Sequence, residues 1–109
     1  MVTIRNLNTV EEYNKFIESG NRVVKFSAEW CSPCKMLGNI IRNLDIDKIG
    51  EVEFAEIDVD NEAFDSLTSE LEIRSIPVTL FLKNGEVFYE RVGLMQADEI
   101  YYKLNELFN

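Results

Sequence analysis

The sequence has no histidine and only two cysteines, Cys31 and Cys34, among its 109 residues. A structural zinc ion takes four ligands, which are usually Cys and His side chains. One chain cannot supply such a set here, so only ligands shared between two chains would allow a zinc site. We therefore expect no metal in this protein.

The sequence also lacks a long apolar run. Its longest strongly apolar stretch lies around residues 78–82, far short of the roughly 20 residues that cross a bilayer. No apolar segment follows a basic start at residues 1–5, so we expect no signal peptide. Two cysteines in a chain without such a signal favour a reducing compartment, and we expect a cytoplasmic protein.

Basic residues are scarce as well. The 11 Lys and Arg face 20 Asp and Glu, which leaves a net charge of −9. Binding to phosphate groups needs clustered Lys and Arg side chains. We therefore expect neither nucleic acid nor an anionic membrane as a direct partner.

Hydrophobic periodicity and turn residues predict a single domain over residues 1–109 with the order β-α-β-α-β-α-β-β-α. The predicted strands are residues 2–7, 22–28, 52–57, 78–82 and 87–92. The alternating first part implies parallel strands joined by right-handed crossovers. The Asn-Gly pair at residues 84–85 implies an antiparallel hairpin. The expected fold is α/β, with a mixed five-stranded sheet flanked by four helices.

The two cysteines are separated by two residues, between a strand-like apolar pattern and a helical one. This spacing at such a junction is typical of a redox pair rather than a metal site. Cys31 precedes a helix N-terminus, where the helix dipole favours the thiolate, the form that attacks disulfides. We assign Cys31 as a partly exposed nucleophile and Cys34 as a more buried resolving thiol. A static disulfide is the alternative, but closing so short a loop constrains little chain entropy.

The sequence resembles the thioredoxin family over nearly its whole length. The resemblance rests on Trp-Cys-Ser-Pro-Cys-Lys at residues 30–35, Ile-Pro at 76–77, Lys-Asn-Gly-Glu at 83–86 and Val-Gly at 92–93. It implies a thioredoxin-like three-layer α/β/α fold. Four departures from the family pattern stand out: Ser32 for the usual Gly, Asn39 for a common Pro, Lys25 for a buried Asp, and Glu56 for the Lys that partners this Asp.

The resemblance also implies a client-binding surface around the cysteines. Trp30 would cover the pair and offer a flat apolar contact, with packing in the core as the alternative. The Ile76–Pro77 bond would be cis, would hold backbone groups of Ser75 and Ile76 open for a client strand, and would keep metal from the thiols. Gly93 would let a client approach closely, or is a simple turn glycine. The other expected substrate-binding residues are Ser32, Pro33, Val59 and Leu94.

Lys25 lies in a strand that we expect to be central and buried, where a charged side chain needs a partner. Glu56 belongs to the strand expected beside it. Our hypothesis is that these two residues form the family's buried acid–base pair with its ends exchanged. The pair would move the proton of Cys34 through a water, and the cation would favour a thiolate. A purely structural ion pair, or a Lys25 side chain that reaches the surface, is the alternative.

These observations predict a protein-disulfide reductase that cycles between dithiol and disulfide at Cys31 and Cys34. The resemblance implies re-reduction by an NADPH-dependent thioredoxin reductase, disulfide-containing client proteins, no bound cofactor and a monomeric state. Ser32 carries neither charge nor imidazole, so we expect a reduction potential within tens of millivolts of thioredoxin's value of about −270 mV. The alternative is that the protein is a non-redox subunit, which binds a partner protein through the same surface. A disulfide oxidase or isomerase would need a secreted setting, which the N-terminus does not support.

Overall fold

The computed structural model describes residues 1–109, which form five strands, five α-helices and one 3₁₀ turn. The strands are β1 (Ile4–Asn6), β2 (Asn21–Ser27), β3 (Glu53–Asp58), β4 (Val78–Lys83) and β5 (Glu86–Val92). The helices are α1 (Val10–Ile17), α2 (Ser32–Arg42), α3 (Ile46–Ile49), α4 (Asp65–Glu70) and α5 (Ala97–Phe108), and the 3₁₀ turn is Glu62–Phe64. The predicted order is confirmed. The short α3 is an addition, which begins where the Asp45 carboxylate accepts a hydrogen bond from the amide of Asp47 at 2.9 Å.

The five strands form one mixed sheet in the order β1-β3-β2-β4-β5. The first three strands of this order are parallel, and β4 and β5 are antiparallel to their neighbours. This arrangement confirms the predicted α/β fold. It also places β2 at the centre of the sheet, and the cysteines follow directly after this strand.

Helices cover both faces of the sheet and so make three layers. Val24 and Phe26 of β2 lie in one buried cluster with side chains from α1 and α4. Val23 lies in a second cluster with side chains from α2 and α5. Because side chains alternate along a strand, Lys25 points to the same face as Val23, beneath α2.

Local signals place the ends of these elements as expected. The Thr9 hydroxyl accepts a hydrogen bond from the amide of Glu12 at 3.0 Å and begins α1. The Glu12 carboxylate reaches back to the amide of Asn8 at 2.6 Å, one residue before the N-cap. The hairpin between β4 and β5 turns at Asn84 and Gly85, whose φ angles of 50° and 86° are those of the predicted two-residue turn.

A row of polar residues crosses all five strands at one register. Its members, from one edge to the other, are Asn6, Glu56, Lys25, Thr79 and Arg91. Residues paired across strands share a face of the sheet, so these side chains all lie on the side covered by α2 and α5. The row therefore brings polar groups under the helix that carries the cysteines.

Candidate functional site

Cys31 and Cys34 form a disulfide at the N-terminus of α2. Cys31 is the N-cap residue, and the amide of Cys34 donates a hydrogen bond to its Sγ at 3.3 Å. Pro33 lies in the first turn, where a missing N–H costs no helical hydrogen bond. The sulfur of Cys31 thus lies at the positive end of the helix dipole, which stabilises a thiolate once the disulfide is reduced.

Both sulfurs are well covered in this oxidised state. Cys31 is 5% exposed and Cys34 is 1% exposed. They form a small buried cluster with Ala28, against which Val59 and Ile76 pack. The predicted order of exposure holds, but the expectation of a partly exposed Cys31 is not met in the disulfide form, because these apolar side chains surround the bond.

The backbone segments before β4 and after β5 meet beside Ile76, which packs against the cysteine cluster. The Ile76–Pro77 peptide bond is cis, and the carbonyl of Pro77 accepts a hydrogen bond from the amide of Gly93 at 2.8 Å. Gly93 has a φ of 96°, a conformation that side-chain-bearing residues rarely adopt. Ser75 is exposed beside Ile76, and Leu94 is half-buried against the cluster under α5. The structure therefore brings Ile76, Pro77 and Gly93 together, with Ile76 packed against the cysteine cluster.

Arg91 holds the segment around Gly93 from the side of α5. Its guanidinium forms a two-point pair with the Glu99 carboxylate at 2.6 and 3.2 Å, and also donates to the carbonyl of Leu94 at 3.2 Å. The hydrogen bonds from Arg91 lower the pKa of Glu99 below its usual value. The sequence offered no signal for this contact, because it joins a strand to a helix across a loop.

Trp30 stands out from the surface beside the disulfide. It is 70% exposed, and its Nε1 donates a hydrogen bond to the Asp60 carboxylate at 2.8 Å. The indole is therefore not part of the core. Ser32 and Pro33 beside it are exposed as well. Asp60 was not singled out in the sequence, since it is 30 residues away from Trp30 along the chain.

A polar cavity of about 480 Å³ lies behind Cys34. Lys25 and Glu56 both line it, and their Nζ and Oε1 atoms are 3.2 Å apart. The Lys25 side chain is 3% exposed, whereas the Glu56 side chain is 24% exposed. The Ser27 hydroxyl donates to the second oxygen of Glu56 at 2.9 Å. The predicted contact between Lys25 and Glu56 is present, and Cys34 lines the same cavity.

The ammonium of Lys25 lies beneath α2, close to Gly38. A Cβ atom at Gly38 would lie 3.6 Å from Lys25 Nζ and 3.2 Å from Nη1 of Arg42. Burial lowers the pKa of Lys25, and the positive charge of Arg42 adds to this shift, whereas Glu56 opposes it. Gly38 and Arg42 were missed in the sequence, although a glycine inside a helical pattern signals a packing reason.

The structure holds no cluster of three or more His, Cys, Asp or Glu side chains that could bind a metal ion. No helix combines the length and the apolar composition that crossing a membrane requires.

Comparison with known proteins agrees with this geometry. The thioredoxin family model matches residues 5–106. The chain is 33% identical to a thioredoxin of Mycoplasmoides gallisepticum over 98 residues, which cover 89% of this chain and 95% of that protein. It is also 33% identical to a thioredoxin of Staphylococcus epidermidis over 92 residues, 84% of this chain and 86% of that protein.

A similar solved structure is mitochondrial thioredoxin 3 of Saccharomyces cerevisiae in its oxidised form. It is 26% identical to this chain, covers 95% of both chains and superposes with a TM-score of 0.80. The matched family model, the relatives and the Cys31–Cys34 disulfide at the N-terminus of α2 agree, and we conclude that the chain belongs to the thioredoxin family.

Proposed function

We propose that this thiol–disulfide oxidoreductase takes electrons from an NADPH-dependent thioredoxin reductase and passes them to the disulfides of client proteins. The observation that carries the redox function is the Cys31–Cys34 disulfide, placed at a helix N-terminus in a thioredoxin fold. No observation favours the alternative of a non-redox binding subunit.

The reaction needs two thiol–disulfide exchanges. The Cys31 thiolate attacks a client disulfide, so that a mixed disulfide forms and one client thiolate leaves. The Cys34 thiol then loses its proton and attacks the Sγ atom of Cys31. This second exchange closes the Cys31–Cys34 bond and releases the second client thiolate. Two electrons pass from the protein to the client, and the reductase returns them.

The surface around the disulfide is proposed to bind the client chain. Trp30 offers an exposed apolar face, and Ile76 packs against the cysteine cluster. The proposed hydrogen-bonding partners of a client strand are backbone groups of Ser75 and Ile76, beside the glycine at position 93. The side chains of Ser32, Pro33, Val59 and Leu94 complete the proposed surface.

Lys25 and Glu56 are proposed to assist the loss of the Cys34 proton. The Glu56 carboxylate would accept this proton through a water in the polar cavity, and the Lys25 ammonium would stabilise the Cys34 thiolate. The support is geometric, because both side chains line the cavity that reaches Cys34. The contact of 3.2 Å between them keeps the cation within the site.

The proposed function is tested by reduction of insulin disulfides, with NADPH and a thioredoxin reductase as the electron source. We expect the wild-type protein to support turnover and the Cys31→Ser, Cys34→Ser double variant to support none above background. Both proteins are expected to fold, because serine nearly matches cysteine in size. A wild-type protein that fails to reduce insulin with chemical reductant as well as with reductase would contradict the proposed function. A double variant that retains every cellular activity would favour the binding subunit.

The reduction potential gives a separate test. With Ser32 between the cysteines, we expect a potential within tens of millivolts of about −270 mV, which is that of a reductant. Equilibration with glutathione buffers or with a thioredoxin of known potential measures it. A value near −150 mV would instead indicate an oxidising role.

We also propose that the protein acts as a monomer in the cytoplasm. A cysteine pair that must return to its dithiol form after each cycle suits a compartment that keeps thiols reduced. Light scattering in solution and fractionation of the source cells test the two points.

A further inference from the structure

The hydroxyl of Thr79 is a buried polar group without a partner. Thr79 is 0% exposed in the middle of β4, and its Oγ1 is the one buried side-chain nitrogen or oxygen with no hydrogen bond. Burying a hydroxyl unpaired costs free energy, so such groups are rare in folded proteins. Valine has nearly the same shape and would avoid this cost. The cost of burying this hydroxyl is explained if it has a hydrogen-bond partner in another state of the protein.

The register of the sheet shows which hydrogen-bond donors lie near this hydroxyl. Thr79 is directly opposite Lys25 on β2 and Arg91 on β5. Side chains paired in this way share a face, with Cβ atoms about 4.5–5.5 Å apart. Arg91 already donates to Glu99 and to the carbonyl of Leu94. Lys25 has three N–H donors, and its Nζ has one acceptor, Oε1 of Glu56.

We propose that Thr79 is a positioning residue whose hydroxyl accepts a hydrogen bond from the Lys25 ammonium while Cys34 gives up its proton. This inference rests on the roles proposed above for Lys25 and Glu56. In the step concerned, the S–H bond of Cys34 breaks and an O–H bond forms on Glu56, through a water, without any change of oxidation state. The Cys34 thiolate then attacks Sγ of Cys31.

The need for a second acceptor follows from this proton transfer. Once Glu56 carries the proton, it is a neutral acid and no longer an anionic partner for Lys25. A buried ammonium is costly unless it is hydrogen-bonded. The Thr79 hydroxyl, on the neighbouring strand opposite Glu56, then supplies an acceptor for the ammonium. In the disulfide form the ammonium is directed to Glu56, at 3.2 Å, on the other side of β2 from Thr79, and the hydroxyl is unpaired.

The test uses Thr79→Val, which removes the hydroxyl and nearly keeps the shape, and Thr79→Ser, which keeps the hydroxyl. The measured step is the resolution of a mixed disulfide between Cys31 and a small aromatic thiol, followed by stopped flow from pH 6 to 9. We expect Thr79→Val to resolve it about threefold to tenfold more slowly near pH 7, which is the factor expected when one hydrogen bond of typical net strength is lost. We expect its pH profile to move to higher pH, and Thr79→Ser to stay within about twofold of wild type.

The pH profile reports on a group of coupled charges, which both variants leave in place. The ionisable groups that share the cavity with Lys25 are Cys34, Lys35 and Arg42 of α2, Glu56 and Asp58 of β3, and Glu29. Unfolding of the oxidised proteins by denaturant serves as the structural control. Thr79→Val should be at least as stable as wild type there, because its hydroxyl has no partner in that state. A clear loss of stability would contradict this premise and overturn the inference.

A second control separates this inference from the function on which it rests. In a Lys25→Met background, Thr79→Val should slow resolution no further, because the donor is gone. An equal slowing in both backgrounds would overturn the inference, as would a wild-type rate and pH profile for Thr79→Val. Either result would leave insulin reduction by the wild-type protein intact. A failure of the redox function would instead appear as the absence of that activity.

Discussion

Replacing Cys34 with serine is expected to stop turnover and to leave client proteins bound to Cys31 through a disulfide. Cys31 is the N-cap residue of α2, where the helix dipole stabilises its thiolate, so the first exchange still proceeds. A serine hydroxyl at position 34 cannot displace the client sulfur. We expect steady-state insulin reduction to fall by more than about 100-fold. Non-reducing electrophoresis and mass spectrometry would show the trapped adduct.

The matched control is Cys31→Ser, which removes the nucleophile and keeps the buried thiol. Cys34 is 1% exposed, so it should not attack a folded client at a comparable rate. We expect this variant to be inactive without forming adducts. If Cys31→Ser trapped clients and Cys34→Ser did not, the assignment of nucleophile and resolving thiol would have to be reversed.

The double variant Lys25→Met, Glu56→Gln is expected to be more stable and less active than the wild-type protein. Replacing a buried ion pair by uncharged residues of similar volume is often stabilising, and because the Glu56 side chain is partly exposed we expect a gain of only about 1 kcal/mol in the free energy of unfolding. The same change removes the proposed proton acceptor of Cys34. We expect the resolving step near neutral pH to slow by about 10- to 100-fold. Denaturant unfolding and stopped-flow resolution of a mixed disulfide measure the two effects.

The single variants should be less stable than this double variant. Glu56→Ala leaves the Lys25 ammonium buried and unpaired, so we expect the free energy of unfolding to fall by about 3 kcal/mol. Lys25→Met leaves a carboxylate that is partly exposed and still bonded by Ser27, so we expect a smaller loss. Full exchange rates from pH 6 to 9 in Lys25→Ala, in Glu56→Ala and in the two combined would show that the pair has no catalytic role.

The pH dependence of stability follows from the buried lysine. Burial lowers the pKa of Lys25 below its ordinary value of 10.5. The folded protein therefore releases this proton at a lower pH than the unfolded chain. Between the lowered pKa and 10.5 the unfolded chain binds more protons, so this group makes stability rise with pH across that window. Comparing the denaturant midpoints of wild type and the double variant from pH 7 to 10.5 isolates this contribution. A difference that did not change with pH would contradict a lowered Lys25 pKa.

Several local features could be predicted because neighbouring residues encode them. Thr9 and Glu12 begin α1 as a cap, and Asn84 and Gly85 turn the hairpin by their tolerance of positive φ. Periodicity placed both ends of every strand within two residues of the observed position. The short α3 was not predicted, because a single turn has too few residues to show a period.

Contacts between distant strands were harder to predict, since they depend on register. The pairing of Lys25 with Glu56 was predicted from two strands expected to be neighbours together with the resemblance to a family. Neither a sequence pattern nor the resemblance predicted the pairing of Lys25 with Thr79. Trp30 with Asp60, and Arg91 with Glu99, are likewise joined by folding and not by sequence spacing. These side chains are ordinary surface or strand residues until the sheet sets them side by side.

The sequence by itself determined the chemistry of this protein. Two cysteines at a strand-to-helix junction, with no histidine, specify a redox pair, because the spacing allows a reversible disulfide and the ligands for a metal are lacking. Only the tertiary structure decided what surrounds this pair. Gly38 lies over the Lys25 ammonium, apolar side chains cover the sulfurs, and Thr79 faces Lys25 from the neighbouring strand. The reason is physical: a covalent motif is local, whereas burial and electrostatics depend on which distant segments pack together.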